Sequence, residues 1–189
     1  MYAFPLNFEI SDSGLDSDVK LKDAKKQILL RGSKMTEAVL EGKQLYRIFR
    51  TEQGDQLAYQ IQYKQVNEYP QYSISDASGT HLGTLVKEKR GMWKILSFGG
   101  LPVGQGCYKN GRRRSCLLTF IPDVIETMLY LLFPVRYELE LDGKKTLKLR
   151  EKDPTGISND GYNVKQTGEL TEMEEQLLVG CLFALFWPD

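Results

Sequence analysis

The sequence predicts a mainly β fold of the α+β type, in which a closed antiparallel β-barrel surrounds a hydrophobic C-terminal helix. From about residue 45 onward, short segments alternate apolar and polar residues, as half-buried strands do. The closing segment LTEMEEQLLVGCLFALFWPD is apolar on every side from Leu177 onward, so a helix there must be surrounded by protein. A sheet curled around that helix buries both sets of apolar faces and leaves no exposed strand edge.

The length and composition agree with one folded domain spanning residues 1–189. Hydrophobic residues make up 41% of the chain and charged residues 26%, which is the balance of a folded protein. The formal net charge is zero, so overall charge favours neither nucleic acid nor membrane. Residues 11–26 are polar and are expected to form a loop or a frayed start, which would leave 1–26 partly loose.

The first strand predictions follow the alternation of apolar residues. LYRIFRT and LAYQIQY, joined by EQGDQ, predict a hairpin over about 45–63. Three further strands are predicted in succession, over 72–75, 82–87 and 92–98. The next segment, FGGLPVGQGCYKNGRRR, holds five glycines between 99 and 111 and is expected to be largely loop.

The second half of the chain holds a predicted helix and a clear hairpin. Apolar residues over 123–133 follow helical spacing, with Asp123 as cap and Pro134 as the stop; a buried strand is the competing interpretation. VRYELELDGKKTLKLRE predicts a hairpin that turns at Asp142–Gly143. Residues 153–168 are expected to be loop, with one short strand around 162–166.

The C-terminal segment carries its own start and stop signals. Thr171 and Glu174 fit a capping box, and Pro188 follows the apolar run. A helix from Glu172 to about Phe186 would be about 22 Å long, whereas a membrane span needs ~20 apolar residues. We therefore predict no transmembrane segment and a buried central helix over 171–187. A partner-binding amphipathic helix is the alternative.

This layout resembles the tubby C-terminal-like superfamily, which includes the phospholipid scramblases and the LURP-one-related proteins. The resemblance rests on YSISDASGTHLGTLVKEKRG and on the late hairpin followed by EEQLLVGCLFALF, and it covers the chain from about residue 28 onward. It implies a closed antiparallel barrel around a hydrophobic helix and a mostly non-catalytic role. Some members bind phosphoinositides through basic surface groups. The palmitoylated cysteine cluster of the scramblases has no counterpart here, so scramblase activity is not implied.

The candidate binding residues are basic. Residues 87–116 hold eight basic residues and one acid. Within them we single out a set able to bind phosphate, since arginine forks chelate its oxygens: Lys109, Arg112, Arg113, Arg114, Lys89 and Arg90. The predicted partner is an anionic lipid head group or a phosphorylated ligand, with no specific nucleic acid. A solvated loop balanced by acids elsewhere is the competing interpretation.

No catalytic or metal-binding motif stands out, so we predict neither an enzyme nor a cofactor. The glycine-rich segment lacks the spacing of a nucleotide-binding turn, and the chain has one histidine, His81, and no CxxC pair. A non-catalytic binding module is the first hypothesis. A protein-interaction scaffold without a lipid role is the second, and an enzyme with an unrecognised site is the third. The three cysteines and the absence of a visible signal peptide suggest a cytoplasmic location, with peripheral membrane contact as an open possibility.

Overall fold

A computed structural model describes residues 2–12, 17–34, 44–51, 56–66, 69–89, 91–109, 136–152 and 161–186. The described residues form twelve strands and one helix. In chain order these are β1 (Leu6–Asp12), β2 (Ser17–Lys22), β3 (Ile28–Lys34), β4 (Gln44–Arg50), β5 (Gln56–Val66), β6 (Tyr69–Asp76), β7 (His81–Lys89), β8 (Met92–Ser97), β9 (Pro102–Lys109), β10 (Arg136–Leu141), β11 (Lys144–Glu151), β12 (Gly161–Gln166) and α1 (Glu172–Phe186).

The strands form a closed antiparallel barrel, as predicted. Each strand pairs with its neighbours in sequence, and β1 pairs with β12 to complete the circle. The closing register sets Leu6 opposite Val164 and Phe8 opposite Tyr162. Because the circle is complete, none of these twelve strands presents an unpaired edge to solvent.

An ion-pair cluster lies beside this closing seam. Glu9 of β1 contacts the Nζ atoms of Lys22, at 2.5 Å, and Lys152, at 3.3 Å. Burial raises the pKa of Glu9, but the hydrogen bonds and charges of the two lysines outweigh burial and hold it below its usual value. The carboxylate therefore links β1 to β2 and to the end of β11.

The C-terminal helix fills the barrel, which confirms the central prediction. Its apolar side chains are fully buried around the whole circumference, at Leu178, Val179, Cys181, Leu182 and Phe183. The ring of Phe183 meets that of Phe8 edge to face, with centroids 5.2 Å apart. Barrels of about eight strands are filled by side chains alone, so twelve strands leave room for a helix about 10 Å wide.

The predicted capping box starts the helix. The backbone N–H and the hydroxyl of Thr171 both donate to Oε2 of Glu174, at 2.8 and 2.9 Å. The backbone N–H of Glu174 donates to the Thr171 hydroxyl at 3.3 Å. These bonds satisfy amide groups that have no partner inside the helix.

The glycine-rich segment was predicted as loop, and this was wrong for residues 102–109, which form β9. The glycines serve close approach between strands. A Cβ on Gly104 would lie 2.2 Å from the carbonyl oxygen of Glu140, and one on Gly106 would lie 2.9 Å from Cδ2 of Leu139. Glycine inside a strand often marks such an approach. A glycine-rich composition is the same for a loop and for a strand of this kind, so the sequence alone did not distinguish them.

The polar start of the chain also differs from the expected loop. Strand β1 continues to Asp12, and β2 covers Ser17–Lys22. Val19 and Leu21 of β2 are fully buried. Two apolar residues in a charged stretch are a weak alternation, and they become a strand because β1 and β3 pair with them on either side.

The other predicted strands are present. Strands β4 and β5 form the first hairpin, β6 to β8 form the meander, and β10 and β11 form the late hairpin. The short strand predicted near 162–166 is β12. The helix predicted over 123–133 and the loop over 153–160 lie outside the described residues. In the part of the chain that is described, no helix is long and apolar enough to cross a membrane.

Candidate functional site

The barrel has two ends of different character. At the helix-start end, the first turn of α1 lies among the turns at 23–27, 76–80, 97–101 and 142–143. At the opposite end, which we call the basic end, β7, β9 and β11 finish and β8, β10 and β12 begin.

Two of the six predicted anion-binding residues belong to described strands, and both lie at the basic end. Lys89 is the last residue of β7 and Lys109 is the last residue of β9, with β8 between them. Arg90, Arg112, Arg113 and Arg114 lie outside the described residues.

Strand register adds two arginines that the sequence reasoning missed. Lys109 pairs with Arg136 across β9 and β10, and Arg136 pairs with Arg150 across β10 and β11. Neighbouring strands lie about 4.8 Å apart, so three cationic residues occupy successive positions within about 10 Å. We call Lys109, Arg136 and Arg150 the cationic row. A two-residue turn at Asp142–Gly143 would set residue 136 opposite residue 149, and the bulge between Leu139 and Glu140 shifts the register so that Arg136 pairs with Arg150.

The cationic row occupies strand positions of the outer face of the sheet. The neighbouring positions point inward: Leu149 is buried, and Tyr137 packs with other aromatic rings of the barrel wall. Since side chains alternate along a strand, position 150 belongs to the outer face, where Arg150 is exposed. The register places positions 136 and 109 on that same face.

An aromatic cluster lies directly behind the row. The ring of Tyr137 lies 5.0 Å from Tyr108, 6.0 Å from Trp93 and 5.8 Å from Tyr162, measured between centroids. Such pairs each contribute about 0.5–1.5 kcal/mol beyond their buried area. The cluster therefore holds the ends of β8, β9, β10 and β12 together, which gives the row a rigid base.

The row is electrostatically unfavourable by itself. Like charges directly opposite each other on neighbouring strands repel. The acid nearest in the register is Glu138, which pairs with Cys107 and Lys148 in the next outward-facing row. Among the described residues of these two rows, one acid lies beside four cations, which leaves a net positive patch to which an anion would add favourable contacts.

A polar cleft of about 380 Å³ opens at the helix-start end. Its wall includes Glu175, which is almost fully buried and accepts a hydrogen bond from the backbone N–H of Tyr2 at 2.5 Å. The hydroxyls of Tyr2 and Tyr59 lie 3.3 Å apart. Burial raises the pKa of Tyr59, so this phenol stays protonated, and these contacts tie the N-terminal segment to α1.

The remaining residues considered for chemistry have ordinary settings. Nε2 of His81 lies 3.3 Å from the hydroxyl of Thr84 on the same strand. Cys107 is half-buried on β9 and Cys181 is fully buried in α1, where burial raises its pKa. Cys116 lies outside the described residues. Within the described ranges, no three His, Cys, Asp or Glu residues are grouped so as to hold a metal ion.

Comparison with protein-family models, with curated proteins and with solved structures gives no significant match to this chain. The cationic row and the barrel geometry are therefore the basis for any functional assignment.

Proposed function

We propose that this chain is a non-catalytic binding module of the tubby-like type, and that it contacts phosphate groups of anionic phospholipids at the basic end of the barrel. The observation that carries the proposal is the register that aligns Lys109, Arg136 and Arg150 across three neighbouring strands. Lys89 is the last residue of β7, which lies two strands away from β9.

The chemistry of the row suits phosphate. Guanidinium groups donate two parallel hydrogen bonds to phosphate oxygens, and lysine adds a mobile positive charge. Near an anionic bilayer each basic residue contributes about 1 kcal/mol. Contact through a few such residues is reversible and weakens as salt is added.

The resemblance to the tubby-like superfamily points to the same class of ligand. It implies a closed barrel that encloses a helix, and some members of that superfamily bind phosphoinositides through basic surface groups. The barrel and its helix have that layout. The outward-facing cationic row is the kind of surface that such binding requires.

Vesicle sedimentation tests the proposal. The full chain is mixed with vesicles of phosphatidylcholine alone, and with vesicles that also contain phosphatidylserine or a phosphoinositide. Two variants remove equal charge, Arg136→Gln/Arg150→Gln at the row and Lys25→Gln/Lys26→Gln in the exposed turn at the opposite end of the barrel. A third variant, Arg112→Ala/Arg113→Ala/Arg114→Ala, tests the segment that follows β9.

We expect binding only to the anionic vesicles. The Arg136→Gln/Arg150→Gln variant should bind about thirty-fold more weakly, which corresponds to about 2 kcal/mol for two charges. The Lys25→Gln/Lys26→Gln variant should bind nearly as well as the parent chain. Equal binding by the two double variants would refute a role for the row, and unchanged binding by the triple variant would remove Arg112–Arg114 from the site.

A soluble phosphorylated ligand would use the same chemistry, and a competition experiment separates the two sources. Inositol phosphates that bind the cationic row should release the chain from the vesicles, and the amount of chain that sediments should fall. If the chain binds inositol phosphates in solution but no vesicle, the ligand is a soluble phosphate compound and the membrane part of the proposal is wrong.

A protein-interaction scaffold is the second candidate function, and a separate surface favours it. Three exposed apolar residues lie at the helix-start end, remote from the cationic row: Phe98, Leu101 and Met173. An enzyme with an unrecognised site stays the third prediction.

A further inference from the structure

An apolar patch projects from the helix-start end of the barrel. Phe98 is 76% exposed and Leu101 is 70% exposed, both in the turn between β8 and β9, and Met173 in the first turn of α1 is 65% exposed. Phe98 and Met173 line one cavity of about 140 Å³. Single exposed apolar residues are common, whereas a contiguous group marks a surface that binds something.

The turn does not need these side chains for its own stability. Its backbone is closed by the N–H of Ser97 donating to the carbonyl of Leu101, at 2.8 Å, and by the N–H of Gly100 donating to the carbonyl of Ser97, at 2.9 Å. Gly100 adopts the left-handed conformation, with φ of 76°. Polar residues at positions 98 and 101 would therefore form the same turn without exposing apolar surface.

The cavity has an apolar floor and an acidic border. Leu82, Leu141 and Leu177 form part of its floor, and Asp142 and Glu174 line it at the edge. None of the described residues that line it is basic. The negative charge of Asp142 and Glu174 suits a positively charged partner and opposes insertion into an anionic bilayer.

The size of the cavity indicates what enters it. Sites for small molecules usually measure about 300–1,000 Å³, well above this cavity. One apolar side chain of a peptide fits the volume better, with neighbouring peptide residues resting on the exposed apolar turn. Interfaces of this kind depend on a few apolar anchors placed in such pockets.

We propose that this patch binds a segment of a partner protein in which an apolar side chain is flanked by lysine or arginine. The apolar side chain enters the cavity between Phe98 and Met173, and the flanking cations face Asp142 and Glu174. The patch lies at the end opposite the cationic row, so this binding does not depend on the phospholipid proposal. Both surfaces are open to occupation at the same time.

Selection from a random peptide library displayed on phage tests this inference. The library is selected on the full chain after depletion on the Phe98→Ser/Leu101→Ser variant. Tyr69→Ser/Met92→Ser serves as the matched control, because those two apolar residues are also exposed but lie at the basic end. Thermal unfolding of each variant establishes that it is folded before its peptide affinity is measured.

We expect enriched peptides that carry an apolar residue between basic ones. They should lose about ten-fold or more in affinity on Phe98→Ser/Leu101→Ser, the usual effect of truncating an interface hot spot, and keep it on Tyr69→Ser/Met92→Ser. Asp142→Asn/Glu174→Gln should weaken binding at low salt, and glutamine at position 174 still suits the capping box.

Three outcomes would overturn the inference. Selection could give no enrichment over the depleting variant, or the enriched peptides could lack basic residues. Sedimentation equilibrium could also show self-association that Phe98→Ser abolishes, in which case the patch belongs to an interface between copies of this chain.

Discussion

Gly180 of α1 faces Ile74 of β6 so closely that a Cβ on Gly180 would lie 2.4 Å from Cγ2 of Ile74. Separations below 3.0 Å are essentially never seen for a real Cβ, so only glycine lets the helix backbone come this near the barrel wall. The strands with the most contacts to α1 are β5, β6 and β7. The helix therefore packs against one side of the barrel, and larger side chains such as Phe8 and Phe183 fill the opposite side.

Gly180→Ala should destabilise the protein despite the better helix propensity of alanine. Alanine is more favourable than glycine by about 1 kcal/mol inside a helix, whereas overpacking a core costs about 1–3 kcal/mol. We therefore expect the free energy of unfolding, measured in urea, to fall by about 1 kcal/mol. In an Ile74→Ala background, which lacks Cγ2, the same change should become stabilising. Gly99→Ala, where the nearest atom is 3.9 Å away, should be nearly neutral. A loss that persists in the Ile74→Ala background would show that this contact is not the cause.

Leu182→Asp should prevent folding. Leu182 is fully buried inside the barrel, and an unpaired charge there costs several kcal/mol, a large part of a typical stability of about 5–15 kcal/mol. Met173→Asp changes the same helix at an exposed position and should leave the fold intact. Circular dichroism and soluble yield measure both. If Leu182→Asp unfolded cooperatively at the same temperature as the parent chain, this would contradict burial of the helix.

Thr171→Ala should lower the free energy of unfolding by about 1 kcal/mol, the usual cost of losing a helix cap. The substitution removes the hydroxyl that bonds Glu174 at 2.9 Å and accepts from its backbone N–H. Thr171→Ser keeps that hydroxyl and should retain most of the stability. Urea unfolding compares the three chains, and equal losses for alanine and serine would mean that the hydroxyl does not cap the helix.

Asp76 should stabilise the β6–β7 turn in a pH-dependent way. Oδ1 of Asp76 accepts hydrogen bonds from the Ser78 hydroxyl at 2.6 Å and from the backbone N–H groups of Ser78 and Thr80, each at 2.9 Å. The Ser78 hydroxyl bond is the largest influence, and together with the backbone bonds it lowers the pKa of Asp76 below the ordinary 3.8. A lowered pKa gives stability that is fully present above the unfolded value and is lost as pH falls through the folded value.

Asp76→Asn should therefore be less stable than the parent at neutral pH, and the difference should shrink below about pH 3.8. Urea unfolding at a series of pH values measures this difference. Asp142→Asn is the control at another turn of the same end, since among the described residues none donates to the Asp142 carboxylate. A difference for Asp76→Asn that stays constant down to the lowest pH would exclude the carboxylate as its source.

The candidate site was only partly predictable from sequence. The run of basic residues between 87 and 116 drew attention to Lys89 and Lys109, and both end strands at the basic end. Arg136 and Arg150 belong to the hairpin predicted by VRYELELDGKKTLKLRE, and only the pairing of β9 with β10 aligned them with Lys109. The apolar turn at Phe98 and Leu101 was also missed, because neither composition nor alternation tells whether an apolar turn residue is covered.

The sequence by itself determined the local elements: the cap at Thr171, the length of α1 and the hairpin around Asp142–Gly143. Capping, helical period and strand alternation are short-range effects, so they are legible within a few neighbouring residues. Only the tertiary structure decided that β1 closes on β12, that Gly104 and Gly106 belong to a strand, and which cations share a row. Those outcomes depend on contacts between residues distant in the chain, and the energy of such contacts has no signature in the local pattern.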